Sequence, residues 1–187
     1  MIKLLTLLFE VIKGSINSVS VVRENEKVPT LDTENQNAPQ TPSFNLQEYI
    51  ETFNKPEYLV TAQEYFAPSI RSGYPITEPL SKELEENIIT LLEAVNKLRI
   101  QYGKPMYVTS GIRTTKHNAK IGGARKSSHV SCQAIDFADS DGALKAFATN
   151  DNNAMLMLCN LYMESPLDTP TWCHLQTRQT NNRVFGR

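Results

Sequence analysis

Residues 107–139 read YVTSGIRTTKHNAKIGGARKSSHVSCQAIDFAD, and the strand at the end of this stretch decides the fold. Residues 134–139 alternate in the manner of a β-strand, placing Ala134, Asp136 and Ala138 on one face and Ile135 and Phe137 on the other. A carboxylate between two alanines on a sheet face is costly to bury unless it is paired or bound to a metal. His129 stands where the polar loop enters that strand. Farther on, residues 171–177, TWCHLQT, read as a second strand with Trp172, His174 and Gln176 on one face and Cys173 and Leu175 on the other. Two histidines and one carboxylate leave a tetrahedral site one position open, which is the arrangement of catalytic rather than structural zinc. The same spacing also suits histidines that only hydrogen-bond or lie at the surface, and by itself it leaves both readings open.

Outward from this stretch, Leu84, Ile88, Leu91, Leu92, Val95 and Leu98 fall on one face of a long helix. Ser81 is its N-cap, and Gly103 with Pro105 closes it. Residues 106–109 read as a short strand, residues 114–121 as a short helix ended by Gly122 and Gly123, and residues 158–164 and 172–177 as further strands. A helix followed by a small sheet with inserted helices is the order of an α+β domain. The expectation is a small antiparallel sheet with flanking helices over residues 59–187.

The 187 residues carry 19 Lys and Arg against 20 Asp and Glu, a balance that excludes a generic basic nucleic-acid binder. No apolar run reaches the roughly eighteen residues of a membrane span, so neither nucleic acid nor a transmembrane segment is expected. Cys132, Cys159 and Cys173 are three in number and form no CxxC pair, which excludes a disulfide scaffold and a cysteine-rich zinc ribbon. Free thiols point to synthesis and folding in a reducing cytoplasm. At the N-terminus, Lys3, Thr6, Glu10, Lys13 and Asn17 draw a polar stripe opposite Ile2, Leu5, Leu8, Phe9 and Ile12, so residues 1–17 read as an amphipathic anchoring helix. Residues 18–58 are rich in Asn, Gln, Thr, Pro and Glu, and read as a polar linker or arm. Helix and arm together suit attachment to a virion or another protein partner.

The motif Ser110-Gly111-Ile112-Arg113, the pair His117-Asn118, the run Ser127-Ser128-His129 through Ala134 and Asp136, and the later Trp172-Cys173-His174 resemble the zinc D-alanyl-D-alanine carboxypeptidase family, whose fold is shared with the Hedgehog signalling domain. The likeness covers roughly residues 60–187, and its closing stretch is similar to small phage-encoded members. Two departures stand out: Cys132 replaces a usual glycine, and Trp172 stands where some members carry another histidine. The resemblance implies one zinc ion on His129, Asp136 and His174, and an Arg113 that clamps a substrate carboxylate or carbonyl. Ser127 and His117 are the other candidates for substrate contact.

A peptidase needs a carboxylate to accept the proton of the attacking water. Glu164, at the end of a strand, is the first candidate and Asp168, in the following loop, the alternative. Arg113, Lys116, Lys120, Arg125 and Lys126 concentrate positive charge beside the site, which suits peptidoglycan stem peptides with free carboxylates, although a solvated loop face has the same composition. The expected function is a zinc-dependent D,D- or L,D-carboxypeptidase or endopeptidase of peptidoglycan peptides. It would be phage-encoded and virion-borne, and would act on the host cell wall in the periplasm. The alternative is a virion structural protein with a peptidase-like domain, active or not, anchored through residues 1–58. A signalling module of Hedgehog type has no processing signal in the sequence to support it.

Overall fold

The computed structural model describes residues 43–186. The anchoring helix expected at 1–17 and most of the arm expected at 18–58 lie outside them. Five helices and five strands follow in the order α1 (Leu46–Glu51), α2 (Ala62–Arg71), α3 (Lys82–Tyr102), β1 (Val108–Ser110), α4 (Thr115–Lys120), β2 (Ala134–Ala138), α5 (Ala143–Leu158), β3 (Tyr162–Glu164), β4 (Trp172–Gln176) and β5 (Val184–Phe185). The architecture is the expected α+β one.

Helix α3 has the ends its sequence predicts. The Ser81 side chain caps its start, and Gly103 closes it at φ 69°, a left-handed conformation that glycine adopts without a Cβ penalty. Ile88, Leu91, Leu92, Val95 and Leu98 are buried along its inner face. Thr61 and Glu64 form a capping box at the start of α2, a helix that the hydrophobic pattern alone did not disclose.

The packed unit begins before residue 59. Ile50 and Phe53 are buried with the core, and Leu46, Tyr49 and Tyr58 pack against it. The Tyr49 hydroxyl donates to Glu85 at 2.6 Å and accepts from Leu80 N–H at 2.9 Å. Asn96, buried in α3, accepts from the N–H groups of Leu59 and Val60 and donates to the Val60 carbonyl. The aromatic residues of the segment, Phe44, Tyr49, Phe53 and Tyr58, are gathered at its end, so a polar average over 18–58 conceals a short helix with its own core contacts.

The strand expected at 158–164 starts only at Tyr162, because the apolar run before it keeps a helical period and buries Leu156 and Cys159. Within α5, residues 150–153 depart from helical geometry, with Asp151, Asn152 and Asn153 at positive φ, a region these residue types tolerate.

The sheet order is β1-β2-β4-β3-β5. It is mixed rather than wholly antiparallel: β2 and β3 occupy both edges of β4, so the chain leaving β4 returns along the free edge of β3 and pairs with it in parallel. Register places Ser110 beside Asp136 and Asp136 beside His174. One step beyond the Met163–Leu175 pair brings Glu164 opposite His174, and Glu164 pairs with Phe185. A single row of side chains therefore crosses the sheet. The opposite face, with Ile135, Phe137, Met163, Cys173 and Leu175, lies in the hydrophobic core.

A buried lysine fixes the loop that leads into β4. The ammonium of Lys145, itself 6% exposed, donates to the carbonyls of Asp139, Thr169, Pro170 and Trp172 and lies 3.4 Å from the Asp139 carboxylate. That carboxylate also accepts from the N–H groups of Leu144 and Lys145 at the start of α5. Removing one partner of a buried ion pair leaves the other uncompensated, at a cost of about 3–5 kcal/mol. Lys145→Met is accordingly expected to lower the stability to urea by about 3 kcal/mol or more, and an unchanged unfolding midpoint would refute the clamp.

Candidate metal centre

His129 reaches the sheet through two close approaches of backbone. A Cβ on Gly111 would stand 1.9 Å from the Tyr65 carbonyl oxygen, so only glycine lets this loop lie against α2. In that position the Gly111 carbonyl accepts a hydrogen bond from His129 Nδ1 at 2.7 Å. Behind the histidine, the turn closes with Val130 N–H donating to Ser127 O and Gln133 N–H to Ser128 O. Cys132 lies inside this turn at φ 59°. The resembled family's glycine therefore has a physical reason here, and the cysteine takes the same left-handed backbone. Burial pushes its thiol up to about 12. All three cysteines are free and buried.

His129, Asp136 and His174 converge, each offering a donor atom within 4.8 Å of the others. His129 Nε2 lies 3.3 Å from Asp136 Oδ2, and His174 Nδ1 lies 2.7 Å from Asp136 Oδ1. Because a carbonyl can only accept, His129 must carry a proton on Nδ1, which leaves Nε2 bare in the neutral ring. Two electron-rich atoms, Nε2 and Oδ2, then face each other at 3.3 Å. That arrangement calls for a cation between them, so the chemistry of the donor set fits a metal ion.

Burial sets the protonation of the cluster. It lowers His129 below the usual histidine value, against the raising pull of Asp136. It also acts to lower His174, but there the hydrogen bond and charge of Asp136, with help from Gln176 and Glu164, outweigh it and the net shift is upward. Burial alone would raise Asp136; the two histidines more than offset it and hold its carboxyl well below the usual carboxylate range. Of the two rings, His174, the one in closer contact with Asp136, is therefore the more readily protonated.

The centre forms the floor of a cavity of about 930 Å³ whose walls include Arg113, Lys126, Ser127, Glu164, Trp172, Arg178 and Phe185. Glu164 is 7% exposed. Asp168, half-buried, is not among the described residues that line the cavity. Ser127 lines the wall, and its hydroxyl accepts from His129 N–H at 3.3 Å.

Arg113 also lines the wall, but it is engaged by the protein's own carboxylate: a guanidinium nitrogen lies 3.0 Å from Asp136 Oδ2, and Nε donates to Ser110 Oγ at 2.9 Å. Burial lowers its pKa against the opposing effect of Asp136. His117 lies outside the cavity wall. Its ring stacks on Tyr74 with centroids 4.9 Å apart, and its Nδ1 is buried with no hydrogen-bond partner. Of the expected basic cluster only Arg113 and Lys126 reach the cavity; Lys120 stands over the Tyr74 ring instead.

Sequence reasoning did not single out Ser128, Gln176, Arg178 or Phe185 as site residues. Gln176 carried a signal, since it shares the His174 face of its strand. Arg178 and Phe185 carried none, because the loop and the parallel strand that bring them to the wall leave no periodic pattern.

The family model described as peptidase M15 matches residues 68–164, a span that includes His129, Asp136 and Glu164 and ends before His174. No curated protein matches the chain, and no solved structure does.

Two outcomes test the geometry. Below the raised pKa of His174 an incoming ion must displace one proton, so zinc affinity should fall about tenfold per pH unit as the pH drops through and below that value, and level off above it. Below that value, calorimetry in buffers of different ionisation enthalpy should find close to one proton released, since Asp136 is held ionised and His129 is lowered toward its neutral form; release of two would refute the assignment. His117→Phe should leave zinc affinity and peptide hydrolysis unchanged, because it keeps the stack on Tyr74 and removes an unpaired buried nitrogen. Lost hydrolysis would return the ring to substrate contact.

Proposed function

The chain belongs to the peptidase M15 family, whose members are zinc-dependent, and from that premise we propose that it is a zinc peptidase hydrolysing an amide bond in peptidoglycan stem peptides. The observation that carries the reading is the convergence of His129, Asp136 and His174 beneath an open cavity, with Glu164 in the same cross-sheet row. These three residues would hold the ion. Bound there, zinc lowers the pKa of water and polarises a carbonyl.

The remaining chemistry is the chain's own. A water attacking the scissile carbonyl must lose a proton, and the Glu164 carboxylate, rigidly placed at a strand end, is the acceptor. The protonated Glu164 then returns the proton to the departing amine. The charge of Arg113, paired with Asp136, adds to burial in lowering His129, which favours the neutral ring that serves as a ligand. Lys126 and Arg178 give the cavity wall a positive potential that favours peptides with free carboxylates. Both the carboxypeptidase and the endopeptidase form of the reaction, D,D- or L,D-, belong to this proposal.

We assign the enzyme to a phage that degrades its host's cell wall when entering or lysing the cell, with the virion and the periplasm as its places of action. The likeness of residues 161–185 to small phage-encoded peptidases supports this, and residues 1–58 would supply the attachment.

The test is hydrolysis of purified muropeptides, followed by mass spectrometry. The zinc-loaded protein should release a defined fragment. Glu164→Gln should keep one zinc per chain and lose at least about a hundredfold in turnover, the usual cost of a missing general base. An active Glu164→Gln beside an inactive Asp168→Asn would move the proton acceptor to Asp168. No release by the zinc-loaded wild type from any muropeptide would overturn the substrate class.

A further inference from the structure

Each ligand imidazole has a second ring nitrogen, and the two are tied from behind in different ways. For His129 the tie is a backbone carbonyl, that of Gly111. For His174 it is a side chain. His174 Nε2 lies 3.3 Å from Gln176 Oε1, and Gln176 itself is 4% exposed.

The orientation of the Gln176 amide follows from its other partners. Its Nε2 stands 2.7 Å from the Arg178 carbonyl, which can only accept, so this end is the NH₂. The other end is therefore the carbonyl, and it accepts from the Ser128 hydroxyl at 2.8 Å. A flipped amide would set two carbonyl oxygens against each other at Arg178. With Oε1 held in place, the group it faces on His174 must be an N–H.

The consequence concerns a choice between tautomers. A neutral His174 could keep its proton on Nδ1 and donate it to Asp136 Oδ1, 2.7 Å away. In that form Nδ1 has no lone pair to offer an ion. We propose that Gln176 is a positioning residue of the metal centre: its side-chain carbonyl, locked by Ser128 and by the Arg178 backbone, keeps the His174 proton on Nε2 and leaves Nδ1 as the nitrogen that meets the ion. The sheet makes the device possible. Gln176 lies two residues beyond His174 on the same strand, and hence on the same face. Ser128 comes from the turn that also delivers His129, so one polar chain runs from the loop of the first histidine to the ring of the second. The inference rests on the metal-centre reading above.

The experiment measures zinc affinity by competition with a chromogenic chelator and, separately, the ¹⁵N resonances of His174 in the zinc-loaded protein. Gln176→Met, similar in volume but without a strong acceptor, should weaken zinc binding by about 10–100-fold, the range typical of a lost partner behind a ligand. The ¹⁵N pattern of the unsubstituted protein should show the proton on Nε2 and the metal on Nδ1. Wild-type affinity in Gln176→Met, or a proton found on Nδ1, overturns the inference while the metal centre stands. A wild-type protein that takes up no zinc overturns the metal-centre reading, and this inference with it. Should Gln176→Met fail to fold, the His174 tautomer in the unsubstituted protein decides alone.

Discussion

The carboxylate of Asp136 is the constraint around which the site is built. It is 6% exposed, in a strand flanked on both sides, by β1 and by β4. Removing such a charge from water costs several kcal/mol unless partners replace its hydration. Here the replacement comes from three directions. Arg113 approaches from the loop after β1, His129 from the turn before β2, and His174 from the neighbouring strand. Each partner in turn needs support, and the support is mostly carbonyl oxygen: Gly111 behind His129 and Gln176 behind His174. The polar network is thus anchored at its periphery by groups that the fold holds still. This is what lets a small sheet keep two imidazoles and a carboxylate at ligand distances.

The sheet serves as a divider. One face contributes Ile135, Phe137, Cys173, Leu175 and Met163 to a core shared with α1, α2 and α3. The other contributes the row Ser110, Asp136, His174, Glu164 and Phe185. Strict alternation along five-residue strands is enough to separate an apolar interior from a charged cavity floor. The two faces also stabilise each other. The apolar side fixes where each strand lies, and the fixed strands hold the polar groups at contact distance.

How much of this was legible follows from the same alternation. The face shared by Asp136 and its alanine neighbours, and that shared by His174 with Trp172 and Gln176, were readable because β periodicity is exact over such short spans. Helix α3 was readable because its apolar stripe, its serine cap and its terminal glycine all agree. What escaped depended on tertiary placement. Helix α1 lies at the end of a polar segment and is held by single contacts such as Tyr49 to Glu85, which no composition average reveals. His117 sits beside a motif arginine in sequence, yet its ring turns away to Tyr74 because α4 presents it on that side. The engagement of Arg113 with Asp136 joins residues 23 apart, and the part of the wall made by Phe185 depends on a parallel pairing at the sheet edge.

The antiparallel pairing of Ala134–Ala138 with Trp172–Gln176 has a consequence for how the chain finds its native state. Sliding β4 by one residue against β2 would set Cys173 or Leu175 opposite Asp136 and turn the imidazole of His174 toward the hydrophobic core. Backbone hydrogen bonding scarcely distinguishes the two pairings, since every register offers the same amides and carbonyls. An ion that binds only the aligned pair does distinguish them, because a ligand stabilises the state it binds in proportion to the logarithm of its concentration. Burial of Cys173 and Leu175 already selects the aligned pair, and an ion held by His129, Asp136 and His174 would add to that selection, so the same alignment would be enforced from both faces of the sheet.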